Sequence, residues 1–390
     1  MTKTISINKY LPIAILYFFL NSFLLPSGLL YTTLLTPLLL LWLFKYPSFK
    51  YTGYFLLLTA PFIIIHFISG VHYGYYIKSY LLLFSAVIFG ICFYQYLKNS
   101  NSLRRIFRFI LVTNIILVFI ACIAWFFPGI RPVFWLTSSV SRGLESLSRL
   151  KLLTYEPSYY STLLVPLAFY YYLKIIFLKL PNTRAIVFFI TLPLLLSFSL
   201  GILLGIPLTI ALLFLFNLES FLTNKKTRRW ILLGLLLTGV SLVTLIIVYP
   251  DNPLFIRIKN ILEGRDTSFS GRTFDAFYLA WEVIKTKSVL FGVGLGQAKV
   301  QGLEIWNSFY NHKFAVSEIA IPCAVADTMA AFGIVGVVIR IAAEIYLFFR
   351  TKVYSNYYRY ALFIFIFIYQ FTGSYINNIA EFTLWILAYG

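Results

Sequence analysis

The residues best suited to chemistry are arginines in two polar segments of an otherwise apolar chain. A guanidinium group presents paired hydrogen-bond donors in a fixed plane and keeps its charge at physiological pH, which suits it to phosphate. If the apolar runs span a membrane, a cluster of such groups at its surface would hold the pyrophosphate of a lipid. The alternative is that each arginine only extends its charge toward lipid headgroups. The five candidates are Arg142, Arg149, Arg257, Arg265 and Arg272.

Glu156 lies in the stretch YEPSYYS, directly ahead of a long apolar run. Pro157 suits the first turn of a helix, and a carboxylate before it interacts favourably with the positive end of the helix dipole. Capping alone would therefore explain Glu156. The alternative is a general base, or an acceptor of hydrogen bonds from sugar hydroxyls at the membrane face. The sequence leaves both interpretations open.

Two further residues are candidates for proton transfer. His312, in NSFYNHKF, has a side chain that titrates near neutral pH, although a lone histidine in a loop is more often simply exposed. Asp327 opens an apolar run with the small residues ADTMAAFGIVG, where an acid is costly to bury. Arg340 and Glu344, four residues apart in the same run, predict an ion pair within one helix, with a proton or ion path as the alternative.

No motif indicates a metal or a nucleotide. Three cysteines and three histidines are scattered along the chain without the spacing of metal ligands. The stretch GVGLGQ follows no predicted strand and belongs to no βαβ unit, so it is not a dinucleotide fingerprint. We therefore predict no metal site and no cofactor.

The elements that must position these residues are membrane helices. The 390 residues are 60% hydrophobic, 19% aromatic and only 12% charged, with a mean hydropathy of +0.86. A soluble core cannot absorb so much apolar surface, so we predict an all-α polytopic membrane protein with a single integral membrane domain. The net charge of +19 would suggest nucleic acid in a soluble protein. Here we divide it between membrane orientation and an anionic ligand, and we expect no nucleic-acid partner.

Apolar runs predict about 11 to 12 transmembrane helices. The connectors between them are alternately rich in lysine and arginine, which places that set of connectors in the cytoplasm. The stretch 185–218 is either one broken helix or a tight hairpin at Gly201. The predicted spans are 10–25, 29–44, 51–69, 77–97, 106–127, 159–178, 185–200, 202–218, 230–249, 324–349 and 357–376, with a short twelfth at 379–389.

The opposite side then carries two polar segments, at 128–158 and at 250–322. Within the longer one, SGRTFDAFYLAWEVIKT predicts an amphipathic helix with Ser270 as its N-cap, lying on or beside the bilayer. GVGLGQ after it predicts a flexible glycine turn. The apolar face of the helix is predicted from Phe274, Phe277, Tyr278, Trp281 and Ile284.

Four stretches, in order, resemble bacterial O-antigen and exopolysaccharide polymerases of the Wzy type. RLKLLTYEPSYYSTLLVPLAFYY is similar to the Arg…Glu-Pro-Ser segment before a central span of that family, and LLLSFSLGILLGI to its serine-rich helical break. SGRTFDAFYLAWEVIKTKSVLFGVGLGQ resembles its large periplasmic loop, and ADTMAAFGIVGVV the Gly-x-x-Gly helix that follows. Together they cover about the last two-thirds of the chain.

The resemblance implies a GT-C-like, metal-independent glycosyltransferase of the bacterial inner membrane, with its active site facing the periplasm and 128–158 and 250–322 as periplasmic loops. It would join oligosaccharide repeat units carried on undecaprenyl pyrophosphate. The expected partners are these lipid-linked glycans, membrane lipid and a chain-length co-polymerase. The implied site residues are Arg149 and Arg272, then Arg265 and Arg142, for the pyrophosphate, and Glu156, His312 or Asp327 for catalysis.

Three other functions compete with this expectation. O-antigen ligases, which transfer glycan to lipid A core, belong to the same superfamily but carry a histidine shortly before the glycine of the closing helix, where this sequence has Pro322. A transporter or flippase of lipid-linked sugars would place charges within many spans, whereas most charges here lie in the loops. A purely structural membrane subunit would not explain the arginine-rich segments.

Overall fold

The structure is a computed structural model that describes residues 31–99, 103–138, 144, 146–178, 183–216 and 252–390. The spans predicted at 10–25 and 230–249 lie outside the described residues, as does the candidate Arg142.

Helices make up most of the described chain. Single helical turns are present at Arg131–Phe134, Thr267–Ser270 and Ala298–Gln301. The longer helices are α1 (Tyr31–Leu43), α2 (Lys50–Ile68), α3 (Tyr73–Asn99), α4 (Leu103–Ala124), α5 (Pro157–Phe177), α6 (Thr183–Ser197), α7 (Leu200–Phe216), α8 (Pro253–Leu262), α9 (Phe274–Lys285), α10 (Leu303–Tyr310), α11 (Ala324–Arg350), α12 (Tyr357–Tyr369) and α13 (Ile379–Tyr389).

Five helices in the described part of the chain are long and apolar enough to cross a membrane. The shorter apolar helices α1, α6, α7, α12 and α13 also coincide with predicted runs. The helical membrane class is thereby confirmed, whereas the total number of spans stays a prediction. The five long segments are Pro47–Ile68, Tyr73–Asn99, Leu103–Ala124, Pro157–Phe177 and Ala324–Arg350.

Two predicted boundaries are wrong. The run 357–376 stops being helical at Tyr369, and the chain then turns through a corner at 370–378, where Ser374 has a φ of 70°. The run 185–218 forms two helices that separate at Phe198, with a φ of 47°, rather than at Gly201. Left-handed φ values interrupt a helix, and those of non-glycine residues are not visible in a hydropathy pattern.

A short antiparallel hairpin precedes the central helix, and the sequence analysis did not predict it. Strand β1 (Trp135–Ser138) pairs with β2 (Leu147–Leu150), with Leu136 opposite Arg149. The Trp135 Nε1–H donates to the carbonyl of Ala121 over 2.8 Å, which fixes the hairpin to the end of α4. Because side chains alternate along a strand, burial of Leu150 turns Arg149 to the opposite face.

Helix α5 lies in the centre of the bundle and packs against α6, α7, α12 and α13. Tyr160, Leu164 and Phe169 are completely buried there. The Tyr160 hydroxyl donates to Asn114 Oδ1 of α4 over 2.7 Å, so its polar atom is satisfied in the apolar interior. The first residue of this central helix follows Glu156, which places that carboxylate at one end of the protein core.

Helix α9 exists as predicted, but its N-cap is not the predicted one. Its small and aliphatic residues, including Leu279 and Val283, are buried, and the helix packs against α11. Phe274 and Tyr278, which belong to the predicted apolar face, are 78% and 51% exposed on the side away from α11. The N-cap is Thr273 rather than Ser270. Alanines that pack closely on a neighbouring helix determined the buried face here, and a pattern based on large apolar residues misses them.

The glycine-rich stretch after α9 is not a free turn. Helix α11 is interrupted at Gly333 (φ 66°, ψ −165°), and residues 289–294 run along the interruption. Val293 and Gly294 donate to the carbonyls of Ala330 and Ala331 over 2.9 and 3.1 Å. On the far side of Gly333, the backbone N–H groups of Ile334 and Val335 donate to the carbonyls of Val289 and Leu290, each over 3.1 Å. Broken backbone within an apolar helix needs such internal partners.

Candidate functional site

A small cleft lies where the start of α5, the segment before α9 and the corner at 370–378 meet. Glu156 and Ser158 line it from one side and Arg272 from another. Tyr375 and Ser374 contribute from the corner. These residues come from three distant parts of the sequence, so the cleft is created only by folding.

Glu156 occupies the N-cap position of α5, yet its side chain makes no capping hydrogen bond to the backbone. Its Oε1 instead accepts from the hydroxyl of Ser158. Glu156 thus holds the predicted N-cap position, and its carboxylate bonds to the side chain of Ser158 rather than to the helix backbone. The backbone carbonyl of Glu156 does enter the helix, accepting from Tyr160 over 3.2 Å, which leaves the carboxylate available to the cleft.

Arg149 and Arg272 lie near this carboxylate, and Arg257 lies near both of these arginines. Burial lowers the pKa of Arg149 to about 10, and the charges of Arg257 and Arg272 act in the same direction while Glu156 opposes them. Burial also acts to lower the pKa of Arg272, but the carboxylate of Glu156 and the hydroxyls of Tyr369 and Tyr375 outweigh it, so the pKa is raised. Two cations near one carboxylate leave this site with an excess of positive charge, which suits an anion.

Arg257 is held rigidly by an ion pair. Its Nε lies 3.1 Å from Asp266 Oδ2, and the two side chains are 10% and 0% exposed. Asp266 also accepts from the backbone N–H of Phe269 over 2.8 Å, so the carboxylate is fixed from two sides. Arg257 is one of the five arginines that the sequence offered for a pyrophosphate, but nothing in the sequence shows that Asp266 anchors it.

Two other residues predicted for the site, Arg265 and His312, do not line the cleft. Arg265 is exposed and pairs with Glu263 over 3.0 Å, and it does not line the cleft. His312 is exposed in the turn after α10, with its ring 4.8 Å from that of Phe314, and it lines neither described cavity. The structure thus brings Arg149, Arg272 and Glu156 together and leaves Arg265 and His312 outside the cleft.

Tyr375 is a site residue that sequence reasoning missed. Its pKa is raised to about 12, chiefly by burial and then by the charge of Glu156, while Arg272 acts in the opposite direction. Tyr375 lines both the cleft and a second cavity. The chain has 29 tyrosines, so nothing in the residue type distinguished this one.

Asp327 faces the second cavity, which has a volume of about 310 Å³. Its Oδ2 accepts from the backbone N–H of Ile376 over 3.2 Å, which connects the start of α11 to the corner that carries Tyr375. Lys78 and Lys299 also line this cavity. Glu156 and Asp327 therefore lie in two neighbouring cavities that share Tyr375 as a wall.

The predicted ion pair of Arg340 with Glu344 is confirmed, at 3.1 Å. The same guanidinium also pairs with Glu381 and donates to Gln370 Oε1 over 2.8 Å. Glu381 accepts in addition from the hydroxyl of Ser374 over 2.6 Å, and Ser374 lines the cleft. These contacts join α11, α12 and α13 into one buried polar network, which supports a structural role.

No protein-family model matches this chain, and comparison with curated proteins finds no matching sequence.

Proposed function

We propose that this protein is a polymerase of lipid-linked oligosaccharides, an O-antigen polymerase of the bacterial inner membrane. The observation that carries the proposal is the convergence of Arg149 and Arg272 on Glu156, at a cleft that Glu156 and Arg272 line at one end of a bundle of apolar helices. The guanidinium groups suit a pyrophosphate, and the apolar helices beside them suit its lipid tail. We place the cleft on the periplasmic side, because the connectors at the other ends of the helices carry most of the lysine and arginine.

The donor in this proposal is the growing glycan on undecaprenyl pyrophosphate. The bond between its anomeric carbon and the pyrophosphate oxygen breaks, and the pyrophosphate leaves with the electron pair. Arg149 and Arg272 stabilise the negative charge that this leaving group gains in the transition state.

The acceptor is a second lipid-linked repeat unit, whose sugar hydroxyl attacks the anomeric carbon and forms the new glycosidic bond. Its proton passes to Glu156, the carboxylate that lines the cleft beside Arg272. Ser158, which donates to Glu156, orients the carboxylate. Asp327 is the second candidate for this proton, since it lies in the adjoining cavity.

The ligase and transporter alternatives fit the geometry less well. His312, the histidine of the long polar segment, lines neither described cavity, so a ligase-like histidine base lacks a candidate there. Arg340 is neutralised by two carboxylates in a network that joins three helices, which is unlike a mobile charge on a transport path. The position of His312 outside both cavities and the pairing of Arg340 with two carboxylates favour the polymerase.

The test is a lipopolysaccharide gel from the source strain with this gene deleted and then restored. The polymerase predicts that the ladder disappears and that core with one repeat unit remains. Core alone, with long glycan accumulating on its lipid carrier, would instead identify a ligase. An unchanged lipopolysaccharide and an unchanged secreted polysaccharide would contradict the proposal.

A further inference from the structure

The second cavity is not used by the donor chemistry described above, although it has the features of a binding site. It measures about 310 Å³ and combines apolar walls with three charged groups. Lys78 comes from α3, Lys299 from the turn at Ala298–Gln301 and Asp327 from the start of α11. Three separate elements thus direct charged side chains to one space.

The two lysines leave the cavity with excess positive charge. Burial lowers the pKa of Lys299, and the nearby charge of Lys78 lowers it further, while Asp327 opposes them. In the part of the chain that the structure describes, neither lysine forms an ion pair or a hydrogen bond. A bound anion would relieve this repulsion and supply the missing partner.

The surroundings of the lysines suit an anion attached to a lipid. Lys78 is exposed at the rim, and its neighbours Ile77 and Leu81 on α3 are 51% and 55% exposed. Both lie on a helix of membrane length, so their exposed surface faces the acyl chains in a bilayer. A lipid tail could lie along this face while its headgroup reaches Lys78 and Lys299.

We propose that the Lys78–Lys299 cavity binds the phosphate-bearing headgroup of a second lipid-linked ligand, next to the cleft around Glu156. Identification of this ligand as the acceptor, a repeat unit on polyprenyl pyrophosphate, rests on the proposed function. Tyr375 lines both sites, so donor and acceptor would bind as neighbours. Asp327 then lies beside the acceptor rather than the donor.

The experiment counts bound ligands on the full-length protein in phosphatidylcholine nanodiscs, with undecaprenyl pyrophosphate as the probe and native mass spectrometry as the readout. Two molecules are expected per chain. The Lys78→Gln/Lys299→Gln variant should bind the second at least about tenfold more weakly and keep the first, because two charge-assisted contacts are lost. The Arg149→Gln/Arg272→Gln variant should lose the other molecule. Lys259→Gln/Lys313→Gln removes the same charge from two exposed positions outside both cavities and should bind two.

Three outcomes would overturn the proposal or its ligand. If the wild-type protein binds only one molecule, or if Lys78→Gln/Lys299→Gln still binds two with unchanged affinity, the cavity is not a headgroup site. If phosphatidylglycerol binds to the second site as tightly as undecaprenyl pyrophosphate does, the natural ligand there is a membrane phospholipid and not the acceptor. The number of bound molecules does not depend on polymerisation. If deletion of the gene leaves lipopolysaccharide and secreted polysaccharide unchanged but the protein still binds two molecules, only the proposed function is rejected, and the second binding site stands.

Discussion

The backbones of Gly292 and Gly333 touch, although 41 residues separate them in the sequence. A Cβ atom at Gly292 would lie 2.6 Å from the nitrogen of Gly333, and one at Gly333 would lie 2.3 Å from the carbonyl oxygen of Leu290. Both residues also have left-handed φ values, of 76° and 66°. This contact holds the segment after α9 in the interruption of α11, and the same segment lines the second cavity through Leu295 and Lys299.

Gly333→Ala is expected to destabilise the protein by about 3 kcal/mol or more, because a side chain there meets both a backbone clash and an unfavourable φ. Thermal unfolding in detergent, followed by size-exclusion chromatography, measures the loss. Gly53→Ala is the matched control, since a Cβ at Gly53 has nothing within 4 Å. Equal stability of the two variants would show that residues 289–294 do not occupy the helix interruption.

Arg272→Lys should impair polymerisation nearly as much as Arg272→Ala, because a lysine cannot supply the paired hydrogen bonds of a guanidinium group. The readout is the intensity of the polysaccharide ladder at matched protein level. Arg265→Ala should retain most of the ladder, since Arg265 is exposed and pairs with Glu263 outside the cleft. A full ladder with Arg272→Lys would remove pyrophosphate binding by paired donors from the mechanism.

Glu156→Gln should lower the rate of polymerisation by about a hundredfold or more, because general base catalysis is worth at least that factor. It should also lower the melting temperature, because Arg149 and Arg272 lose the carboxylate that stabilises their charges. Glu304→Gln, which neutralises an exposed carboxylate on α10, serves as the control for loss of charge. Normal activity with a lowered melting temperature would reverse the assignment and leave Glu156 a structural role only.

Arg149→Lys should make activity sensitive to alkaline pH. Burial and the charges of Arg257 and Arg272 lower the pKa of a cation at this position. A lysine starts from a pKa of about 10.4, so it would lose its proton as pH rises through a range below that value. The native arginine, with a pKa of about 10, should remain charged to a higher pH than the lysine does.

The measurement for Arg149 is the rate of polymerisation by purified enzyme between neutral pH and pH 9, compared between the native protein and Arg149→Lys. The variant should decline first, and anion affinity should decline with it. Parallel pH profiles would indicate that position 149 does not carry a charge that the reaction uses.

Arg340→Met should destabilise the protein by about 3–5 kcal/mol, because Glu344 and Glu381 would remain buried without their cation. Combining it with Glu344→Gln and Glu381→Gln should restore most of the stability, since the uncompensated charges are then gone. Thermal unfolding of the single and triple variants measures the destabilisation and its recovery. A triple variant as unstable as Arg340→Met would indicate that geometry at this junction, rather than charge compensation, holds α11 to α12 and α13.

Hydrophobicity along the chain determined the helical membrane class and most helix positions, because an apolar run of sufficient length carries its own signal wherever it lies. Residue types also indicated Arg149, Arg272 and Glu156, since few side chains suit a pyrophosphate or a hydroxyl proton. The end of α12 at Tyr369 was not predictable, because the φ of 70° at Ser374 depends on contacts with α13 such as that to Glu381. The hairpin that carries Arg149 was missed because two strands of four residues have almost no pattern of their own.

Only the tertiary structure decided which candidates meet. Arg265 and Arg272 are chemically identical and seven residues apart, yet one pairs with Glu263 at the surface and the other faces Glu156. The sequence GVGLGQ predicts a turn, but in the structure its backbone donates to the carbonyls of Ala330 and Ala331, which the break in α11 releases from helical hydrogen bonding. Local composition sets how each segment interacts with lipid and water. The position of each side chain beside another distant segment depends on which surfaces pack together, and that choice is made by the whole chain.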